Sequence, residues 1–183
     1  GFTQVAAGAN HALALRSDGS IVSWGHDVFG QVSNSPTGTG FIQVAAGGGH
    51  SLALRADTTI EAWGYDGDGQ VGSTPVGTGF MQVDGGYHHS VALWNDGSVY
   101  SWGGDSDGEV ANAPTENGFT QVVAFGRHSL GLHLNTSTIY AGMLSVEKSE
   151  DGGITWFYPD SVTDWNGTPV ATIGVAPTNV NHV

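Results

Sequence analysis

The pentapeptide GFTQV at Gly1 returns as GFIQV at Gly40, GFMQV at Gly79 and GFTQV at Gly118, at a constant spacing of 39 residues. A fixed period of this size means one supersecondary unit copied in series, each copy burying its faces against its neighbours. Whatever the chain does, it must do it from an array of near-identical units.

Read within one unit, the pattern is that of strands. Phe2 and Val5 mark a short extended run that closes at Gly8. His11–Arg16 follows, with Leu13 and Leu15 on one face and Ala12 and Ala14 on the other. A strand that is apolar on both faces is covered on both, and a bulky face opposite a small one suits sheets stacked closely. Ser17-Asp18-Gly19 reads as a tight hairpin, since Asp-Gly supplies the positive φ such turns need. Ile21–Trp24 is the return strand, and a polar, Gly- and Pro-bearing connection leads to the next copy. Nothing has helical period. The expected unit is a small antiparallel sheet of three or four strands.

Comparing the copies separates packing positions from free ones. Phe recurs at Phe2, Phe41, Phe80 and Phe119, Gln at Gln4, Gln43, Gln82 and Gln121, and Val at Val5, Val44, Val83 and Val122. His11, His50, His89 and His128 share one slot; Trp24, Trp63 and Trp102 share another, whose fourth occupant is Ala141. The fourth copy keeps its first two strands and then diverges, as terminal repeats do. The expected division is therefore a repeat array over 1–142, with units starting at 1, 40, 79 and 118, and a C-terminal segment over 143–183.

Composition narrows the function. Four Lys+Arg against seventeen Asp+Glu give a net charge of −13, which argues against nucleic acid and anionic membranes as partners. Thirty glycines and no cysteine fit a turn-rich β protein without disulfides. No apolar run is long enough to insert in a membrane as a helix. Gly1 in place of Met is what a processed chain or a piece of a longer one presents.

The stretch VAAGANHALALRSDGSIVSWGHDVFGQV resembles the regulator of chromosome condensation repeat: a V-A-A-G turn, H-x-L-A-L, a D-G hairpin, W-G and a G-Q-V close. The short period is most similar to the compact bacterial version, as in the propeller-type β-lactamase inhibitory protein. The resemblance implies an all-β fold, a β-propeller with one repeat per blade and often about seven blades. The chain departs from the pattern at Thr58 and Thr136, which replace the hairpin Gly, and at Phe125, which replaces the first-turn Gly. Beyond Gly142, SEDGGITW from Ser149 to Trp156 is similar to the Asp-box S-x-D-x-G-x-T-W, whose implication is a structural hairpin. The rest of the tail, rich in Asn, Thr, Gly and Pro, reads as extended.

The candidate chemistry is sparse. Four equivalent histidines suggest a metal ring, but equivalent slots of a propeller lie too far apart to share ligand bonds of about 2 Å. They read as structural, each imidazole hydrogen-bonded to the Gly-rich turn of its own unit. Asp66 and Asp68, with Asp105 and Asp107, resemble the opening of a calcium loop; they lack its third acidic ligand and distal Glu, and turn chemistry accounts for Asp beside Gly. Every acid and serine falls at a repeat-equivalent turn, so no catalytic constellation stands out. Neither an enzyme nor a cofactor is expected. Trp24, Trp63 and Trp102 are the expected core tryptophans, one per unit. Phe29, Tyr65 and Tyr87 are candidate partner contacts, and Asn135 and Asn166 sit in glycosylation sequons.

These residues point to a non-enzymatic interaction or structural module whose partner is another protein or further copies of itself. The expected contacts are the terminal units, Gly1–Gly25 and Gly118–Gly142, in a homo-oligomer or larger assembly. Acidity, absent cysteine and the Asn/Thr/Gly tail suggest an extracellular or virion setting. A different class, a glycan-binding or glycan-processing propeller, is prompted by the Asp-box resemblance; nucleotide exchange is prompted by the family's name alone.

Overall fold

The structure is a computed structural model that describes residues 1–133 and the backbone of two further strands, 138–142 and 146–149. The sequon residues Asn135 and Asn166, Thr136 and the Asp-box-like stretch beyond Ser149 lie outside the described residues. Among those described there are thirteen strands and no helix. Unit 1 contains β1 (Phe2–Ala7), β2 (His11–Arg16) and β3 (Ile21–Gly25); unit 2 contains β4 (Phe41–Ala46), β5 (His50–Arg55) and β6 (Ile60–Gly64). Unit 3 contains β7 (Phe80–Gly85), β8 (His89–Trp94) and β9 (Val99–Gly103). Unit 4 contains β10 (Phe119–Phe125), β11 (His128–His133), β12 (Thr138–Gly142) and β13 (Val146–Ser149).

Each unit is one antiparallel meander, and the four sheets stack in chain order as a propeller-type array. In units 1 and 3 the second hairpin turns at Asp-Gly, where Gly19 and Gly97 adopt φ of 79° and 84°. In unit 2 Thr58 holds the same left-handed conformation at 69°, which an L side chain adopts only at a cost. Its hydroxyl offsets that cost by accepting from the Gly79 N–H at 2.7 Å.

The core lies between sheets rather than within them. Leu13 and Leu15 of unit 1 pack on Phe41, Val44, Ala53 and Trp63 of unit 2. The next junction repeats the arrangement with Leu52 and Leu54 against Phe80, Val83, Ala92 and Trp102, and the third with Val91 and Leu93 against Phe119 and Val122. The bulky face of one middle strand thus meets the first strand and small face of the next. Each side chain so buried contributes about 1.5–3 kcal/mol, so stability resides in the junctions.

Unit 4 departs in register. In units 1–3 the middle strand pairs His11 with Gly25, His50 with Gly64 and His89 with Gly103. In unit 4 it is Ser129 that faces Gly142, and Ala141 faces Leu130. Counting by 39 placed Ala141 in the tryptophan slot. The return strand has slipped by one residue, which exchanges its two faces and leaves Gly142 opposite Ser129.

Candidate interaction surface

Three kinds of polar contact tie neighbouring units, two of them at all three junctions and the third at the first two, each bridging residues 32 or 40 apart. First, Gln4 clamps the backbone of β4: its side-chain N–H donates to the Val44 carbonyl at 3.0 Å, and its Oε1 accepts from the Val44 N–H at 2.8 Å. Gln43 does the same to Val83, and Gln82 to Val122. The amide stands in for a neighbouring strand and satisfies an edge that would otherwise offer unpaired groups. Second, the histidines bridge units. The Nε2 atoms of His11, His50 and His89 lie 2.9, 2.9 and 2.7 Å from the hydroxyls of Ser51, Ser90 and Ser129. This corrects the expectation that each imidazole bonds its own turn; that turn only supports the ring, which packs so tightly that a Cβ at Gly8, Gly47 or Gly86 would collide with it. Third, Trp63 and Trp102 donate their indole N–H to the carbonyls of Gln31 and Gln70, in the connection of the preceding unit.

The histidine tautomer follows from the hydroxyl. Ser51 donates its proton to the Gln31 carbonyl, so the Nε2–H of His11 must be the donor between them. Nδ1 of His11 is then an unprotonated lone pair, and the Nδ1 atoms of His11, His50 and His89 are all buried without a partner. Burial, the largest cause, holds all three imidazoles below their ordinary pKa, and that of His50 falls to about 4. These rings are neutral joints between units.

The aspartates of the connections serve their own turns. The Oδ1 atoms of Asp27, Asp66 and Asp105 each accept two backbone N–H groups, and Asp107 pairs with Arg127 at 2.6 Å. Asp68 accepts from the Gln70 side chain and lies 3.0 Å from His88 Nδ1. Among the described residues no three His, Cys, Asp or Glu side chains gather as a metal site. Phe29 and Tyr65 meet edge to face at 4.8 Å across the first junction, while Tyr87 stands exposed beside His88.

What remains is unit 1's outer face. Phe41, Val44 and Trp63 are 2%, 1% and 6% exposed, whereas their counterparts Phe2, Val5 and Trp24 are 62%, 72% and 50% exposed. Trp24 is therefore not the core residue its period implies: Trp63 and Trp102 are buried against the preceding unit's connection, and among the described residues none lies against unit 1. The sequence marked the glutamines as recurrent without showing their role, and missed the serines, although Ser51, Ser90 and Ser129 recur in register behind the histidines.

Residues 2–31, 41–70 and 82–109 match the family model of the regulator of chromosome condensation (RCC1) repeat. The chain carries RCC1 repeats. The RCC1-type array also resembles solved structures. The CRINKLY WD40 ectodomain of the Arabidopsis thaliana receptor kinase ACR4 superposes with a TM-score of 0.64 at 24% identity, over 78% of this chain and 50% of that one. Human WBSCR16 gives 0.63 at 23%, over 78% and 47%. Yeast RCC1 (Prp20), solved bound to Kap60, gives 0.64 at 22%, over 76% and 43%. At these identities the likeness is one of fold, and the RCC1-repeat chain spans about half the length of the structures it matches. No curated protein matches the sequence.

Proposed function

We propose that this chain is a non-enzymatic interaction module, an RCC1-type propeller array that joins an assembly through the outer faces of its terminal units. One observation carries the reading. The face formed by Phe2, Val5 and Trp24 is exposed, although its three counterparts are buried junctions. Exposed apolar patches of this kind mark sites of association. The polar groups support the same view, since those expected to do chemistry are engaged in turns and clamps. The net charge of −13 suits a protein partner, and we place the module outside the cell or on a virion surface.

A photoreactive side chain at position 2, introduced in the natural source, is expected to cross-link unit 1 to another polypeptide, a second copy included. Recovery of the chain without cross-chain links would overturn the reading. So would saturable turnover of a glycoside, peptide or phosphodiester that is lost on replacing a single acid.

A further inference from the structure

An inter-unit junction has a giving and a receiving side. The giving side supplies the glutamine clamp and two leucine-type side chains of the middle strand. The receiving side supplies Phe, Val and Trp together with the Val backbone that the clamp binds. In this chain the receiving side of unit 1 is open: Phe2, Val5 and Trp24 are exposed, and among the described residues no side-chain amide clamps the Val5 backbone as Gln4 clamps that of Val44. The giving side of unit 4 is open as well. Gln121, the counterpart of Gln4, is exposed, as are Leu130 and Leu132, the counterparts of the buried Leu13 and Leu15.

We propose that these two open halves belong to one interface: unit 4 of a second copy seats on unit 1, head to tail, with Gln121 clamping the Val5 backbone and Leu130 and Leu132 covering Phe2, Val5 and Trp24. The proposal rests on the interaction-module reading and names its partner as another copy of this chain. The occupant follows from continuity, because the same contacts form three times within the chain. Such a contact is heterologous and propagates into a ring when the rotation closes and into a filament when it does not.

Two residues make this junction looser than the internal ones. Ala12 stands where Ser51, Ser90 and Ser129 receive a histidine, so His128 meets no hydroxyl. Phe125 stands in the slot of Gly8, where a Cβ would come within 2.4 Å of the next unit's carbonyl oxygen, at Gly47. The turn end of the junction is held apart, and the contact between copies is reversible where the internal ones are not.

Sedimentation equilibrium of the full chain tests this. The wild type at about 100 µM should show masses above the 18.9 kDa chain, rising with concentration. Gln121→Ala and Phe2→Asp, both at exposed positions, should return it to the monomer. The double variant Ala12→Ser with Phe125→Gly rebuilds the internal junction and should tighten association at least about tenfold. A wild-type monomer overturns the proposal, as does an oligomer that neither single variant dissolves, or a double variant that associates no more tightly. A monomer that still cross-links to a different protein through position 2 defeats this pairing and leaves the interaction-module reading standing.

Discussion

Acid should open this array at its histidine joints. His50 is fully buried, its Nε2 is held by Ser90, and its Nδ1 has no partner, so a second proton would sit as a charge in the junction with nothing to receive it. Burial lowers its pKa from 6.5 to about 4, with smaller contributions from His89, His11 and His88. Because the folded value lies below the unfolded one, the stability it confers is complete above pH 6.5. It is lost progressively between 6.5 and 4, as the unfolded chain takes up a proton that the folded chain refuses. A difference of this size corresponds to about 3 kcal/mol from His50 alone. His11 and His89 are lowered by burial too and add in the same direction. Against a typical domain stability of about 5–15 kcal/mol, that loss is large. The aspartates with lowered pKa values, such as Asp27 and Asp105, act below the histidine window. Asp84, raised by burial, opposes the trend slightly. Urea denaturation at pH 7.5, 6, 5 and 4 would measure the profile for the wild type and for His50→Gln. The variant should be less stable at pH 7.5 but flatter, losing about 3 kcal/mol less between pH 7.5 and 4. Parallel profiles for the two proteins would refute the reasoning.

Three further substitutions probe the junctions, each by urea or thermal denaturation at neutral pH. Gln43→Ala strips both hydrogen bonds from the Val83 backbone and should cost about 2 kcal/mol, while Gln121→Ala stays within about 0.5; equal effects would deny the clamp its role. Trp63→Ala should cost about 3–5 kcal/mol and Trp24→Ala less than about 1, so a similar loss at both sites would contradict the exposure of unit 1's outer face. Thr58→Ala and Thr58→Gly both drop the acceptor of the Gly79 N–H, but only glycine relieves the left-handed backbone, so Thr58→Ala should fall about 1 kcal/mol below Thr58→Gly, and the reverse order would contradict the account of this turn.

What could be read from the sequence was whatever is local or periodic. The Leu13/Ala14 alternation, the Asp18-Gly19 turn and the 39-residue return together define the sheet and its stacking, because each depends on residues a few positions apart or on the period itself. The roles of Gln4 and His11 were hidden because their partners, Val44 and Ser51, lie 40 residues on, and only the stacking brings them together. Trp24 carries the same letter as Trp63, yet its burial is decided by a neighbouring connection rather than by its own strand. The slip in unit 4 was illegible for another reason. Leu15 pairs with Ile21 in unit 1, but Leu132 pairs with Ile139 in unit 4, so its hairpin is one residue longer while the letter spacing still suggests the old register.

That slip has an energetic consequence at the third junction. Trp102 packs at the second junction among Leu52, Val83 and Ala92, with its N–H on the Gln70 carbonyl. The equivalents of those residues, Val91, Val122, Gly131 and Glu109, line a cavity of about 40 Å³ between units 3 and 4, with Pro114 and Leu130 beside them. The void lies where the second junction holds the Trp102 indole, and Gly142, opposite Ser129, has no side chain to enter it. Val91 and Gly131 are smaller than their counterparts Leu52 and Ala92, which leaves fewer atoms to fill the space. A residual cavity of this size costs about 1 kcal/mol, and the lost indole contacts and hydrogen bond add to that. In an array whose stability is a sum over junctions, opening begins at the weakest one. Here that is the third, so unit 4 should separate first while units 1–3, joined by two tryptophan-filled junctions, stay together; amide exchange as slow in β11 as in β5 would contradict this.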